Sequence, residues 1–250
     1  MDKALKSVLD WWEDAGVDVP DVTLTVPKRK AKRPAPQKQS TPPSPRTVPE
    51  VARPVIDAAP IATKAKTLTE LKAAMDKFDA GALSDSARQC VFARGNPDSD
   101  LMVIGEAPGR DEDIAGKPFV GRSGQLLDKM LASIGLTEDD FYITNVVNWR
   151  PPKNRNPSPE EIAMCRPFLN RHIELMSPKV LLIVGGVSLS AMTGITGIMK
   201  NRGQWQSINI GTGDIPALPI YHPAFLLRQP ALKKDAWRDL LALSERLGTV

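Results

Sequence analysis

The chain has 250 residues, 42% of them hydrophobic and 25% charged, with a formal net charge of +4. That composition suits a water-soluble protein of one large or two small domains. No apolar run approaches the ~18 residues of a membrane span, and residues 1–16 lack the continuous apolar stretch of a signal peptide, so a cytoplasmic protein without membrane contact is expected. Two cysteines, Cys90 and Cys165, are too few for a disulfide scaffold or a four-thiolate metal cluster. With His172 and His222 they match no zinc-finger spacing.

At the N-terminus Leu5, Val8, Leu9 and Trp12 recur at helical spacing, and Gly16 ends the pattern. A lone helix of this length is marginal, so residues 1–16 are expected to dock on the main domain or on a protein partner. Residues 17–66 read as a linker. Nine of the 23 prolines fall between residues 21 and 60. Lys28, Arg29, Lys30, Lys32, Arg33, Lys38 and Arg46 lie there with no acid between Pro27 and Pro49. Such a segment buries too little apolar surface to offset its ordering entropy. Its charge suits a polyanion such as nucleic acid; a solubilising tether without a partner is the plain alternative.

A domain is expected over residues 67–250. Thr67-Leu68-Thr69-Glu70 has the form of a capping box. Beyond it, Leu101–Gly105, Phe141–Val147, Val180–Gly185 and Ala217–Tyr221 are short apolar runs that end in turn residues. Between them, Gly124–Ile134, Pro159–Met176 and Val187–Met192 show helical periodicity. Ser158-Pro159-Glu160-Glu161 opens the second of these with a capping serine and a first-turn proline. The alternation predicts an α/β domain with a parallel sheet. Ligands in such sheets sit beyond the carboxyl ends of the strands, and there Glu106, Asn145 and His222 converge.

The loop from Gly105 to Asp113 carries glycines and a proline that let backbone approach a ligand. Its acids and missing lysine exclude a P-loop. Phe119, between turn residues, is a stacking surface for a planar base or else an ordinary core anchor. Asn145 offers donor and acceptor together for a base edge, or else ends a strand in a turn. His222 is placed to stabilise a developing anion. Leu226, Leu227 and Arg228 suit an apolar wedge beside a phosphate contact. His172, in mid-helix, is expected on the surface.

Gly105-Glu106-Ala107-Pro108-Gly109 with Glu112-Asp113, Gly116-x-Pro118-Phe119-Val120-Gly121, Tyr142-Ile143-Thr144-Asn145, Arg150-Pro151-Pro152 with Asn154-Arg155, and His222-Pro223 with Leu226-Leu227-Arg228 together resemble the family 4 uracil-DNA glycosylases. The resemblance spans about residues 70 to 245. It implies a three-layer α/β/α domain with a four-stranded, mainly parallel sheet. It implies that uracil is flipped from single- or double-stranded DNA and its N-glycosidic bond hydrolysed by a monomer, leaving an abasic site for base excision repair. Glu106 and His222 would carry catalysis; Ala107, Glu112, Phe119 and Asn145 would bind uracil, with Glu112 near the C5 edge. Pro223, Leu226, Leu227, Arg228, Asn154 and Arg155 would contact DNA.

The chain departs from that family at one feature. Members hold an iron–sulfur cluster on four cysteines, and the matching positions here are Phe78, Gly81, Trp149 and Cys165. One thiolate cannot hold such a cluster. No cluster and no metal are therefore expected, with Phe78 and Trp149 filling the volume and Cys165 a buried thiol. Two other readings remain within the fold: a catalytically weak or inactive DNA-binding scaffold that recruits partners through its N-terminal helix, and a relative that traps the sugar on histidine. The second carries a basic insertion before the histidine motif, whereas Gly194 to Gly203 holds only Lys200 and Arg202.

Overall fold

The computed structural model describes residues 57–249 except Thr212. The expected helix over residues 1–16 and most of the expected linker lie outside them. Four strands form the centre: β2 (Leu101–Gly105), β3 (Phe141–Asn145), β4 (Val180–Val184) and β6 (Asp214–Ile220). They pair in parallel, β3 with β2, β2 with β4 and β4 with β6. Two antiparallel edges, β1 (Arg94–Gly95) on β3 and β5 (Gln206–Asn209) on β6, complete a six-stranded sheet in the order β1-β3-β2-β4-β6-β5. The four-stranded expectation is corrected on this point.

Strand alternation splits the core into two layers. Met102, Ile104, Leu181 and Ile183 join one apolar cluster, and Leu101, Val103, Val180 and Leu182 the other. All are at most 4% exposed, as expected of parallel strands covered on both faces. The first face carries α1 (Ala59–Lys64), α2 (Leu68–Asp76), α3 (Ala82–Ser86) and α6 (Pro159–Met176); α4 (Arg110–Ala115) follows β2. The second carries α5 (Arg122–Ala132) and α10 (Lys233–Leu247), which supply Leu127, Met130, Trp237 and Leu240. Short helices α7 (Gly186–Thr193), α8 (Ile198–Asn201) and α9 (Pro223–Arg228) occupy the remaining connections. No helix among the described residues is long and apolar enough to cross a membrane.

Helix starts follow local chemistry. The Ser158 hydroxyl accepts from the Glu161 amide at 3.2 Å, and the Glu161 carboxylate accepts from the Ser158 amide at 2.8 Å, a reciprocal capping box. At α2, Thr67 Oγ1 accepts from the Glu70 amide, while the Glu70 carboxylate takes the Lys66 amide.

Two further expectations are corrected. Packing begins before Thr67: Ala58, Ala62 and Ala65 are buried, α1 lies on α6, and Arg171 donates to the Ala65 carbonyl at 2.8 Å. His172 is not on the surface. It is 1% exposed on the sheet-facing stripe of α6, stacked on Phe92 at 4.4 Å, with Nε2 3.1 Å from the Tyr142 hydroxyl. Burial lowers its pKa to about 3, so the ring is neutral.

Candidate active site

A cavity of about 830 Å³ opens beyond the carboxyl ends of the central strands, and Glu106, Ala107, Glu112, Phe119, Asn145 and His222 all line it. Parallel pairing sets the floor. Gly105 at the end of β2 is in register with Asn145 at the end of β3. The Gly105 carbonyl accepts from Val146 at 2.9 Å and the Glu106 carbonyl from Val147 at 3.1 Å. A Cβ at Gly105 would fall on Asn145 Oδ1 and on the Phe119 ring, so only glycine lets these three segments meet here.

Phe119 is held in an unusual backbone state. It has φ of +55°, a region that disfavours L-residues, and its side chain is buried. Its carbonyl lies directly over Gly124, where any Cβ would strike it. The Phe119 ring stacks toward His222 at 5.9 Å with an interplanar angle of 28°.

Glu112, expected near the C5 edge of the base, lines the cavity and also has a local structural task. Its carboxylate accepts from the amides of Gly109 at 3.1 Å, Val120 at 3.1 Å and Gly121 at 2.8 Å. It therefore ties the loop after β2 to the loop that carries Phe119.

His222 caps the start of α9. Its Nδ1 accepts from the Ala224 amide at 3.1 Å, which leaves the ring proton on Nε2. Burial, and then the Arg228 charge, lowers its pKa to about 4. Gly185, with φ of +95°, allows the ring to approach β4: a Cβ there would meet His222 Cβ at 3.1 Å. Burial raises the Glu106 carboxyl above its ordinary range. The site thus holds a neutral imidazole donor, a desolvated carboxylate, a stacking ring and a buried amide.

The expected DNA contacts separate. Leu226 is fully buried in the second apolar layer and Pro223 is buried as well, so neither side chain is exposed in the DNA-free protein. Consecutive residues on a helix point about 100° apart, which turns Leu227, 37% exposed, and Arg228 outward. Asn154 and Arg155 reach the cavity rim, but both are engaged. Arg150 Nε donates to Asn154 Oδ1 at 2.6 Å, and Arg155 makes two bonds of 2.7 Å to Glu161. Sequence reasoning missed Arg110, Arg122 and Phe225, which also line the cavity. The two arginines open helices that follow glycines, a pattern that brings cations to the strand ends.

At the positions that would hold a cluster, Phe78 meets Phe168 edge-on at 4.9 Å and Trp149 at 6.0 Å. Phe78 and Trp149 are buried. Burial pushes the Cys165 thiol up to about 12, so it is protonated. No group of three or more potential metal ligands occurs among the described residues. These side chains do not fit an iron–sulfur cluster.

The uracil DNA glycosylase superfamily model matches residues 92–241. The type-4 uracil-DNA glycosylase of Archaeoglobus fulgidus is 39% identical over 159 residues, which is 62% of this chain and 80% of that protein. The type-4 enzyme of Saccharolobus solfataricus is 37% identical over 193 residues, 70% of this chain and 88% of the relative. That of Thermotoga maritima is 41% identical over 143 residues, 55% and 71%. The fold and site define a uracil-DNA glycosylase-like α/β domain. The chain belongs to the uracil-DNA glycosylase superfamily, with type-4 enzymes among its relatives.

Proposed function

We propose that this protein is a monofunctional uracil-DNA glycosylase that opens base excision repair. The observation that carries the reading is the His222–Ala224 hydrogen bond, which leaves a neutral Nε2–H donor on a ring that lines one cavity with Phe119, Asn145 and Glu106. Uracil turned out of the DNA stack would lie on the Phe119 ring. The Asn145 amide would pair with its N3–H and O4, a pattern cytosine reverses. Glu112 would fix the loop beside C5 and so exclude a methyl group by shape.

As the C1′–N1 bond breaks, the sugar gains cationic character and uracil takes the electron pair. The His222 Nε2–H donates to uracil O2, and the Glu106 carboxylate stabilises the sugar or orients the water that adds to C1′. The water's proton passes to the departing base or to solvent. Both groups act as fixed charges and dipoles in a site shielded from water. Among the described residues no lysine lines the cavity, in keeping with hydrolysis without strand cleavage. Leu227 would enter the vacated stack, with Arg228, Arg110 and Arg122 near phosphates.

The protein works without an iron–sulfur cluster, the aromatic group around Phe78 taking that role in packing. Residues 1–16 remain a proposed partner-binding segment, and the enzyme a proposed cytoplasmic monomer. The test of substrate recognition is Asn145→Asp, in which a carboxylate replaces the amide donor. Uracil excision should fall sharply while affinity for undamaged DNA is retained. Undiminished excision would refute the assignment.

A further inference from the structure

We infer that Arg94, outside the cavity on edge strand β1, is a positioning residue that holds Phe119 in its base-stacking geometry. The inference rests on the proposed role of Phe119 as the platform for uracil. It adds a residue that lines no part of the cavity.

The Arg94 side chain is only 7% exposed. Its Nε donates to the Pro118 carbonyl at 2.9 Å, and one terminal nitrogen donates to the Phe119 carbonyl at 3.3 Å. The same nitrogen pairs with Asp128 on α5, and the other with Glu138 at 3.1 Å. The guanidinium also lies over the Phe141 ring at 5.8 Å. Two carboxylates and an aromatic face therefore fix the fork, and the fork fixes two successive carbonyls.

On the other side of Phe119 the chain is held by opposite chemistry. The Val120 and Gly121 amides both donate to Glu112 Oε1. Carbonyls 118 and 119 are bound by a cation and amides 120 and 121 by an anion. The left-handed turn at Phe119, φ +55°, sits between these anchors. A non-glycine residue persists in that region only where its surroundings over-determine it. Arg94 supplies the half of that restraint that faces away from the cavity. A lysine cannot replace it, because an ammonium lacks the planar fork that spans two acceptors while bridging two acids.

The experiment compares wild type, Arg94→Met, Arg94→Lys and Phe119→Ala in the full-length chain. Readouts are single-turnover excision from a uracil-containing duplex, inhibition by free uracil, affinity for undamaged duplex, and thermal unfolding. Free uracil reports on the base platform apart from DNA docking. Arg94→Met should excise about 10²-fold more slowly, the penalty typical of a reacting group displaced by about 1 Å. Inhibition by free uracil should weaken in parallel, with affinity for undamaged duplex unchanged. Arg94→Lys should fall between the two and decides the matter if Arg94→Met does not fold.

Wild-type excision and wild-type uracil inhibition in a folded Arg94 variant would overturn the inference. So would a loss confined to thermal stability, or an equal loss of duplex affinity. The underlying reading fails separately. An inactive wild type would remove the proposed function, and a fully active Phe119→Ala would remove the platform while leaving glycosylase activity standing.

Discussion

Nδ1 of His222 accepts the Ala224 amide proton at 3.1 Å. A ring nitrogen that accepts carries no proton, so the bond sets the tautomer and leaves Nε2–H as the donor on a ring that lines the cavity. The pH dependence follows. Burial raises Glu106 above its ordinary value of 4.5, and His222 gains a proton only near pH 4. As pH falls, protonation of Glu106 removes its carboxylate charge, and near pH 4 Nδ1 of His222 stops accepting from Ala224. In single-turnover pH profiles the rate should fall on the acid side, and Glu106→Gln should lower the rate and change that fall. An acid limb unchanged in that variant would assign it to other groups.

Gly105 is in register with Asn145 and beneath Phe119. Its φ lies outside the positive region, so alanine is compatible with the backbone and the effect is local. The added methyl would displace the Asn145 amide, the Phe119 ring or both. Gly105→Ala should slow excision about 10²-fold with DNA affinity retained. Full activity would show that the pocket tolerates the displacement.

His172 links the core to acid stability. Its folded pKa is about 3 against an ordinary 6.5. Below pH 6.5 the unfolded chain gains a proton that the native state refuses. The stability present above pH 6.5 is therefore lost progressively as pH falls toward 3. At pH 5 that loss amounts to about 2 kcal/mol relative to pH 7, by the usual linkage arithmetic. His172→Gln keeps a polar partner for Tyr142 and should flatten this dependence in urea unfolding. Identical slopes for variant and wild type would place the acid sensitivity elsewhere.

The start of the packed domain is testable by truncation. A chain beginning at Asp57 should keep its excision rate and lose DNA affinity at low salt, where the basic segment counts most. A chain beginning at Thr67 loses Ala58, Ala62 and Ala65 from the core and the carbonyl that pairs with Arg171. Its unfolding free energy should fall by about 2 kcal/mol. Equal stability of the two truncations would make α1 dispensable.

The central strands were legible because parallel strands covered on both faces read as unbroken apolar runs such as Leu101–Ile104 and Val180–Val184. The edges were not. Arg94–Gly95 is too short to show a pattern, and Gln206–Asn209 is largely polar with only Ile208 buried. His172 was misjudged because polarity outweighed spacing: Cys165, Leu169, His172 and Met176 share one helical stripe, all buried. Leu226 and Leu227 looked equivalent in sequence, but a six-residue helix can turn only one of two neighbours inward. Helix α1 was hidden because alanines, which carry its packing, leave little trace beside a proline-rich segment. Glu112 was legible as a site residue, though not as a tie between loops, since two of its three amide partners lie eight and nine residues away. Motif order located the cavity; some of the hydrogen bonds that orient it are local, as from Ala224 to His222, but those from Arg94 to the Pro118 and Phe119 carbonyls span 24 and 25 residues.

The most direct measurement is excision from a labelled duplex carrying one uracil, followed by mild alkali, with wild type and His222→Ala side by side. Strand cleavage should require alkali, appear with wild type, and be slowed about 10²- to 10³-fold in the variant, as for loss of an oxyanion donor. Cleavage without alkali would contradict hydrolysis by a monofunctional enzyme. DNA binding by wild type without any excision would contradict the glycosylase assignment itself.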